Sequence, residues 1–475
     1  MQEQYGLLIE NEWKTTAEVQ SICNPYNGER IADVCMASRN EADAAIAAAQ
    51  SAFAAMRTAP AHERAGLLRR VADKISRRGD EFARCICLEA GKPMAASRGE
   101  VGRAVTTFEL AAEEATRMYG EVLPLDIAPA AGARLGITRR FPLGPVLAIT
   151  PFNFPLNLVA HKIAPALAAG NTVVHKPSSS TPLTAALLGE VLLEAGMPPG
   201  AVNILPCPAA VAEEMVRDER LHMVSFTGSP AVGWHLKGIC GRKKVALELG
   251  GNAAAVIEPD ADLAHAVERC AVGGYAYAGQ VCISLQRIYV HESIYDDFAG
   301  HFTAKVQALS AGDPGAEATV VGPLITAREA DRVQEWVDEA CSLGGKLLAG
   351  GTREGNVYAP TLLEGVPKKA RCVCREVFGP VTVLFPYRSF DKVLDEVNDS
   401  AYGLQAGVFT RCMDSILKAF NRLAVGGVIV NEVPTFRVDN FPYGGIKESG
   451  FGREGVRYAM EEMTELKVLV VDNPQ

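Results

Sequence analysis

The sequence lacks the features that mark several large classes of protein. It has no run of about 18 apolar residues, so no membrane-spanning helix is expected. Its first residues, Met1 to Tyr5, carry neither the basic nor the apolar part of a signal peptide. The net charge is −9, whereas a nucleic-acid-binding protein needs a basic face or stripe. Neither a membrane nor a nucleic acid is therefore expected as a partner.

The cysteines also lack any ordered spacing. The chain has 475 residues and 12 cysteines, but it contains no Cys-x-x-Cys motif. The close pairs Cys85/Cys87 and Cys372/Cys374 have no histidine nearby. Neither a disulfide framework nor a metal site is expected from this pattern. We predict a reduced, cytoplasmic protein of two or three domains, since the chain is too long for one compact core.

The first third of the chain is predicted to be helical. Asn40 is expected to cap a helix that begins at Glu41, with acidic residues in its first turn. Gly91, followed by a proline two residues later, predicts a helix end. A further helix has apolar residues at the spacing of one buried face: Leu68, Val71, Ala72 and Ile75.

Strands and helices alternate from residue 144 onwards. Apolar strands are predicted at 146–150, 172–175 and 223–226, with helices at 157–168 and 183–195 between them. This alternation indicates an α/β fold with a parallel sheet, whose ligands bind at the carboxyl ends of the strands. No strict G-x-G-x-x-G fingerprint occurs, and the Gly228-Ser229 turn is a weak signal by itself.

Three β-rich segments stand outside this alternation. Residues 123–127 and 134–141 read as a hairpin, and residues 466–471 form a strand near the C-terminus. A single terminal strand needs a sheet to join. An edge position in the main sheet is one alternative.

Three short motifs point to chemistry. Cys282 follows Gly279-Gln280-Val281, Glu248 precedes a Gly-Gly pair, and Asn153 lies between two prolines. Together these segments resemble the nucleophile, general-base and asparagine signatures of the aldehyde dehydrogenase superfamily. Further segments that resemble family motifs run in family order from about residue 145 to 455, so the resemblance spans nearly the whole chain.

The resemblance implies an architecture. It indicates a Rossmann-like dinucleotide-binding domain at 1–119 and 144–249, and an α/β catalytic domain at 250–448. It also implies a small β oligomerisation element made of residues 120–143 and 449–475. A homodimer or homotetramer is therefore expected.

The resemblance also implies a reaction. Cys282 would attack an aldehyde to give a thiohemiacetal, and hydride loss to NAD(P)⁺ would leave a thioester. Asn153 and the Cys282 amide would hold the oxyanion, and losing one such donor typically costs about 2.7–4 kcal/mol in the barrier. Glu248 would activate the hydrolytic water, and its apolar Leu-Glu-Leu context predicts a raised pKa. A CoA-acylating dehydrogenase is the alternative, although such enzymes typically lack this glutamate.

Cofactor contacts are carried over from the family by matching motifs. Ser179 stands where NAD-preferring members often have a glutamate that repels a 2′-phosphate. We therefore predict that NADP⁺ is accepted as well as NAD⁺, unless Ser179 only caps a turn. The predicted contact residues are Thr150, Pro151, Lys176, Ser178, Ser179, Gly228, Ser229, Leu249, Glu376 and Phe378.

Candidate substrate residues follow from the same resemblance. They are Phe154, His161 and Arg437. A guanidinium suits a carboxylate or phosphate, so a small polar or anionic aldehyde is expected. Lactaldehyde, succinate semialdehyde, glyceraldehyde 3-phosphate and phosphonoacetaldehyde are the examples. In the alternative interpretation, Arg437 pairs with Asp439 or Glu432 and His161 is a packed core histidine.

Overall fold

The computed structural model describes residues 2–132 and 134–472. The chain begins with strands, so the prediction of an entirely helical first third is wrong for residues 4–35. Strands of two to six residues are too short to show a clear alternation of apolar and polar residues. They are β1 Gln4–Tyr5, β2 Leu7–Ile9, β3 Glu12–Lys14, β4 Val19–Cys23 and β5 Arg30–Cys35.

Four helices follow, and two of their three predicted features are confirmed. The predicted apolar face of the second helix is buried, and Gly91 ends the third helix at φ 63°. The predicted cap is wrong: Asn40 lies inside the first helix, and Ser38 caps it in a capping box with Glu41. The helices are α1 Arg39–Met56, α2 Ala61–Arg77, α3 Gly79–Ala90 and α4 Met94–Glu114.

The next part of the chain contains the hairpin and the alternating strands and helices. The hairpin is β6 Val122–Pro124 and β7 Arg134–Pro142. The alternating strands are β8 Pro145–Ile149, β9 Thr172–Lys176, β10 Val202–Ile204, β11 Met223–Thr227 and β12 Lys244–Glu248. The helices between them are α5 Asn157–Ala169, α6 Leu183–Glu194, α7 Ala209–Arg217 and α8 Pro230–Ile239.

The second half of the chain contains a further alternating unit. Its strands are β13 Ala253–Ile257, β14 Leu285–His291, β15 Lys346–Ala349, β16 Arg353–Glu354, β17 Val357–Tyr358, β18 Thr361–Glu364, β19 Val381–Tyr387, β20 Tyr402–Gly403, β21 Gln405–Phe409, β22 Gly427–Val430 and β23 Ile446–Lys447. Its helices are α9 Leu263–Tyr275, α10 Tyr295–Gln307, α11 Ala327–Ser342, α12 Arg371–Cys374, α13 Phe390–Asn398 and α14 Met413–Arg422. The chain ends with β24 Gly450–Phe451, α15 Val456–Glu462 and β25 Thr464–Asp472.

Two large sheets form the α/β fold. The 8-stranded sheet has the order β24-β12-β11-β8-β9-β10-β2-β3, with β12, β11, β8, β9 and β10 parallel. The 7-stranded sheet has the order β15-β18-β19-β14-β13-β21-β22, with all its pairs parallel except β15-β18. Helices cover these buried, apolar strands, as parallel sheets require.

The C-terminal segment is shared between two sheets. β24 pairs with β12 in the 8-stranded sheet, and α15 packs against α5. β25 pairs with β7 from Thr464↔Pro142 to Asp472↔Arg134, so it joins the hairpin in a separate 3-stranded sheet. The alternative that this strand lies at the edge of the main sheet is therefore wrong. Residues 450–462 therefore pack with the 8-stranded sheet and with α5.

The arrangement of strands brings the candidate residues to one place. Thr150 follows β8, Lys176 ends β9, and Glu248 ends β12. The carboxyl ends of these parallel strands lie at one edge of their sheet, which is where α/β folds bind ligands. Cys282 lies in the loop before β14, and it lines the same cavity as Glu248.

Within residues 2–132 and 134–472, no helix is long and apolar enough to cross a membrane.

Candidate active site

Cys282 lies in a tightly constrained loop. Tyr277 and Ala278 in the preceding 3₁₀ turn have φ of 52° and 53°, which is unfavourable for residues with a Cβ. At Gly279 a Cβ would lie 2.2 Å from the carbonyl oxygen of Gly379. Only glycine fits there, so the Gly279 of the sequence motif is needed to shape the loop. The Cys282 side chain is half-buried, and burial raises the pKa of its thiol to about 11.

Asn153 is tied directly to this loop. Its Nδ2 donates a hydrogen bond of 2.9 Å to the backbone carbonyl of Gln280, two residues before Cys282. The Gln280 side chain accepts from the amide of Ile325 at 3.0 Å and is buried. One N–H of the Asn153 amide is therefore occupied in orienting the side chain, and its second N–H remains for a ligand.

Glu248 is a buried carboxyl at the end of β12. Burial raises its pKa well above the usual value, and the nearby Glu454 carboxylate adds to this effect. Its Oε2 has no hydrogen-bond partner among the residues described. A Cβ on Gly444 would lie 2.8 Å from its Oε1, so a glycine keeps that side of the carboxyl open.

Two charged residues beside Glu248 were not found from the sequence. Lys162 Nζ lies 2.9 Å from Glu454 Oε1 and 3.1 Å from the Ser225 hydroxyl. Burial opposes the ionisation of Glu454, but the positive charges of Lys162 and Arg437 hold the pKa of its carboxyl below the usual value. A lone lysine among the apolar residues of α5 is the sequence signal that could have led to this pair, since a buried lysine needs a partner.

The three substrate candidates have different surroundings. His161 is buried, and its Nε2 lies 2.7 Å from Asp439 Oδ1. Phe154 is half-buried, and the Lys92 ammonium lies 3.6 Å from the centroid of its ring. Arg437 Nη2 lies 3.2 Å from Glu454 Oε2 and 3.5 Å from the imidazole of His161.

The alternative pairing of Arg437 is wrong. Its ion-pair partner is Glu454, whereas Asp439 pairs with Arg103 and Glu432 pairs with Arg269. The predicted partners are close to Arg437 in sequence, but each pairs with an arginine of a distant helix, Arg103 in α4 or Arg269 in α9. The packed-histidine interpretation does fit the burial of His161.

Tyr443 is a further residue whose side chain the sequence did not single out. Its hydroxyl lies 3.0 Å from the Cys282 Sγ, and the Arg437 guanidinium lies 3.7 Å from the centroid of its ring. The Pro-Tyr-Gly-Gly segment was noted as a family-like motif, but no motif shows which atoms its side chain meets.

One cavity of about 430 Å³ brings together catalytic and cofactor candidates. It is lined by Asn153, Glu248 and Cys282 from the first group. From the second group it is lined by Pro151, Gly228, Ser229, Leu249, Glu376 and Phe378. The other four cofactor candidates, Thr150, Lys176, Ser178 and Ser179, do not line it.

The cavity wall has groups suited to a dinucleotide. Ser229 caps α8 without using its side chain, so its hydroxyl and the free N–H groups of the first turn can meet a phosphate. Glu376 accepts a hydrogen bond of 3.0 Å from the Gly251 amide, and burial raises its pKa to about 7. Phe378 has φ of 47° and packs edge-on against Phe152 at a centroid distance of 5.8 Å.

The remaining cofactor candidates lie just after β8, at the end of β9 and in the loop after β9. Thr150 uses its hydroxyl in a 3.0 Å hydrogen bond with His175 and is buried. Lys176 is half-buried, and burial lowers the pKa of its ammonium. Ser178 accepts from the Ser180 amide, and the Ser179 carbonyl accepts from the Gln20 side chain at 2.9 Å. The Ser179 loop is thus held in place through its backbone.

The described part of the chain, without Met1, Ala133 and the last three residues, has no group of three or more His, Cys, Asp or Glu that could hold a metal ion.

The chain is similar to known proteins over nearly its whole length. The chain is 44% identical over 471 residues to the 3-sulfolactaldehyde dehydrogenase of Priestia megaterium, with 99% of this chain and 98% of the relative covered. The crystal structure of aldehyde dehydrogenase 21 from Physcomitrella patens, in complex with the reaction product succinate, superposes with a TM-score of 0.97. That match has 43% identity and covers 99% of this chain and 98% of the other.

A second solved structure is glyceraldehyde-3-phosphate dehydrogenase GapN from Methanocaldococcus jannaschii, complexed with NADP. It matches with a TM-score of 0.93 and 41% identity, covering 96% of this chain and all 100% of that one. The model of the aldehyde dehydrogenase family matches residues 13–469. The chain therefore belongs to the aldehyde dehydrogenase family, and its activity is the NAD(P)-dependent oxidation of an aldehyde.

Proposed function

We propose that Cys282 is the nucleophile, Asn153 an oxyanion donor and Glu248 the base that activates water. The observation that carries this proposal is their meeting in one cavity, with Asn153 bonded to the Cys282 loop. The thiolate attacks the aldehyde carbon, and the oxyanion accepts hydrogen bonds from the free Asn153 N–H and the Cys282 amide. After hydride loss, water attacks the thioester while Glu248 takes its proton, which releases the acid and restores the thiol.

A pair of variants tests these roles. Cys282→Ala is expected to abolish dehydrogenase turnover, because Cys282 is the only thiol among the residues described as lining the cavity. Glu248→Gln keeps the size of the side chain but cannot take a proton, so an acyl-enzyme is expected to accumulate. Intact-mass measurement after mixing with aldehyde and NADP⁺ detects the added acyl group. Full turnover in either variant would overturn the role assigned to that residue.

The nicotinamide cofactor supplies the hydride acceptor when it is bound. The residues present fit such a group, since the free N–H groups at the start of α8 and the Ser229 hydroxyl suit a pyrophosphate. Glu376 and Phe378 lie at the same cavity as Cys282 and would hold the nicotinamide ribose and ring. Lys176 at the end of β9 and the Ser178-Ser179 loop that follows it would meet the adenosine ribose.

NADP⁺ is accepted alongside NAD⁺ in this proposal. Ser179 places no carboxylate near the ribose, so a 2′-phosphate meets no repulsion there, and a hydroxyl can donate to it. The variant Ser179→Glu is expected to weaken NADP⁺ selectively, raising its KM far more than that of NAD⁺. A hundredfold preference for NAD⁺ in the unmodified enzyme would contradict the proposal.

The substrate is a small anionic aldehyde in this proposal. The Arg437 side chain is only 7% exposed, and it packs on the ring of Tyr443, whose hydroxyl lies 3.0 Å from Cys282 Sγ. Its Nε has no hydrogen-bond partner among the residues described. A guanidinium with a free donor suits a carboxylate, sulfonate or phosphate. The relatives named above, which act on sulfolactaldehyde and glyceraldehyde 3-phosphate by their names, have substrates of this class.

Two aldehydes that differ by one group give the sharpest test. 3-Sulfolactaldehyde and lactaldehyde share a carbon chain and differ only by the sulfonate. We expect kcat/KM to favour the sulfonate strongly, and the ratio of the two values to collapse in Arg437→Gln. A general defect would lower both values and leave the ratio unchanged. Equal kcat/KM in the unmodified enzyme would contradict an anionic substrate.

The CoA-acylating alternative is not favoured. Glu248 is retained and lines the cavity beside Cys282, as a hydrolytic route requires. The direct test is to measure turnover in the absence of CoA, since an acylating enzyme needs CoA to release its acyl group.

We also propose a homo-oligomer and a reducing, cytoplasmic location. The sheet of β6, β7 and β25 exposes apolar residues of β25 that a monomer leaves uncovered. All 12 cysteines are free thiols, which a reducing compartment preserves.

A further inference from the structure

The hydroxyl of Tyr443 is within hydrogen-bonding distance of the reacting sulfur. Oη lies 3.0 Å from Cys282 Sγ, and Tyr443 is buried in a small apolar cluster with Ile283 and Leu404. A neutral thiol can donate to the hydroxyl or accept from it. An ionised thiol has no proton, so the hydroxyl must then be the donor, and hydrogen bonds to charged groups are the stronger ones.

Backbone contacts hold the tyrosine in this position. Its amide donates to the Glu454 carbonyl at 3.0 Å, and its carbonyl accepts from the Glu454 amide at 2.7 Å. The next residue, Gly444, has φ of 155°, and a Cβ there would lie 2.8 Å from Glu248 Oε1. The phenol therefore reaches the sulfur from a fixed segment and not from a mobile loop end.

A cation lies against the same ring. The Arg437 guanidinium is 3.7 Å from the ring centroid and is anchored by Glu454 at 3.2 Å. A cation over the face of an aromatic ring is attracted by its π electrons. The positive charge also draws electron density from the phenol, which makes its O–H a better hydrogen-bond donor.

The thiol needs this help because most of its surroundings oppose ionisation. Burial raises the pKa of Cys282 to about 11, and the carboxyls of Glu376 and Glu248 act in the same direction. The groups that lower the pKa of this thiol are the Tyr443 hydroxyl and the Arg437 charge.

We propose that Tyr443 is a catalytic residue whose hydroxyl donates a hydrogen bond to the Cys282 thiolate, with Arg437 as the positioning residue stacked on its ring. This inference rests on the proposed role of Cys282 as the nucleophile. The hydroxyl stabilises the thiolate before the aldehyde binds. Its contribution therefore appears in the reactivity of the free enzyme, apart from any contact with substrate.

The test is the pH dependence of alkylation of Cys282 by iodoacetamide in the full-length enzyme. Peptide-level mass spectrometry is needed, because four other cysteines are exposed: Cys23, Cys341, Cys374 and Cys412. Tyr443→Phe removes only the hydroxyl. Losing a hydrogen bond to a charged group is expected to raise the pH midpoint by about one to two units. Near neutral pH a smaller fraction of the thiol is then ionised, but the more basic thiolate is more nucleophilic and offsets part of that loss. The alkylation rate near neutral pH is therefore expected to fall by only about threefold to tenfold.

Two further variants complete the experiment. Tyr5→Phe removes the hydroxyl of another buried tyrosine, whose hydroxyl meets the Gln2 amide, and is expected to leave the midpoint unchanged. Arg437→Gln keeps Tyr443 but removes the charge, and a smaller upward shift is expected. An unchanged or lower midpoint in Tyr443→Phe would overturn the inference.

Failure of this inference is separable from failure of the proposed function. Alkylation measures the thiol without any turnover. If Cys282→Ala retains dehydrogenase activity, the nucleophile is wrong, whatever the alkylation profile shows. If Cys282→Ala is inactive and Tyr443→Phe alkylates like the unmodified enzyme, only the role of Tyr443 is refuted.

Discussion

At the scale of single residues, the site depends on two carboxyls in opposite states. Glu248 and Glu454 are both buried, but the ion pairs of Lys162 and Arg437 are made with Glu454. Glu454 is therefore the ionised member, and its charge helps to keep Glu248 protonated to a higher pH than usual. A base with a raised pKa is suited to take a proton from water near neutral pH.

The first prediction concerns the pH dependence of deacylation. Below its raised pKa, Glu248 is protonated and cannot take a proton, so hydrolysis of the acyl-enzyme is slow. The rate is expected to rise as pH increases through that pKa, at a midpoint above that of an ordinary glutamic acid. An acyl-enzyme made with p-nitrophenyl acetate is moved to each pH, and its decay is followed by intact mass. The same pH dependence in Glu248→Gln would show that another group is the base.

The second prediction concerns the neighbour of that base. Glu454→Gln removes a like charge from Glu248 and leaves two cations, so the deacylation midpoint is expected to move to lower pH. Breaking a buried ion pair also costs about 3–5 kcal/mol, which should lower Tm clearly. Glu465→Gln is the matched control, because its pair with Lys244 is largely exposed and worth only about 0–1 kcal/mol. An unshifted midpoint would remove Glu454 from the electrostatics of the base.

At the scale of elements, the turn between β12 and β13 positions two loops at once. Gly250 lies against the Glu376 carboxyl, where a Cβ would be 2.2 Å from Oε2. Gly251 lies against the loop that carries Cys282, where a Cβ would be 2.3 Å from the Cys282 carbonyl oxygen. This Gly-Gly pair is therefore required by close packing of backbone and side chains, which only glycine allows.

The third prediction follows from that packing. Gly251→Ala must displace the Cys282 loop, and a shift of about 1 Å in a catalytic group can cost roughly 100-fold in rate. We expect kcat to fall by about that factor while Tm falls only modestly. Gly99→Ala is the control, since a Cβ at this position in α4 meets nothing within 4 Å. It is expected to keep full activity and to gain about 0.5–1 kcal/mol of stability. Full activity in Gly251→Ala would show that the loop adapts.

At the scale of the whole molecule, the small sheet is the part that a single chain leaves incomplete. β25 is exposed along nearly its whole length, with Leu466 55%, Val468 58% and Val470 50% exposed on one face. A sheet of three strands with open apolar faces is rarely stable without a partner surface. The exposure of these residues supports the proposed assembly of several copies.

The fourth prediction tests that assembly. Replacing Val468 and Val470 together by lysine puts two charges on the open face, so the mass in solution is expected to fall towards that of one chain. Light scattering during size-exclusion chromatography measures it. Leu347→Lys, at an equally apolar and 43% exposed position of β15, is expected to leave the mass unchanged. A monomeric parent protein, or an unchanged mass in the double variant, would refute the role of this sheet.

Sequence alone indicated the candidate residues that stand in short motifs. Asn153 between its prolines, Glu248 before its glycines and Cys282 after Gly279 were all found in this way, and the structure brings them to one cavity. Such motifs are readable because each constrains its own backbone, and neighbouring residues are always visible together in the sequence. The alternation of strands and helices indicated the α/β fold for the same reason.

Only the tertiary structure decided which distant side chains meet. The partner of Arg437 is Glu454 and not the nearer Asp439, and Lys162 reaches the same carboxylate from α5. Tyr443 lies beside Cys282 although 161 positions separate them in the chain. These contacts depend on how the helices and loops pack, which requires the sum of many weak interactions along the chain. No local sequence pattern predicts these long-range contacts, so only the tertiary structure shows which charges surround the site.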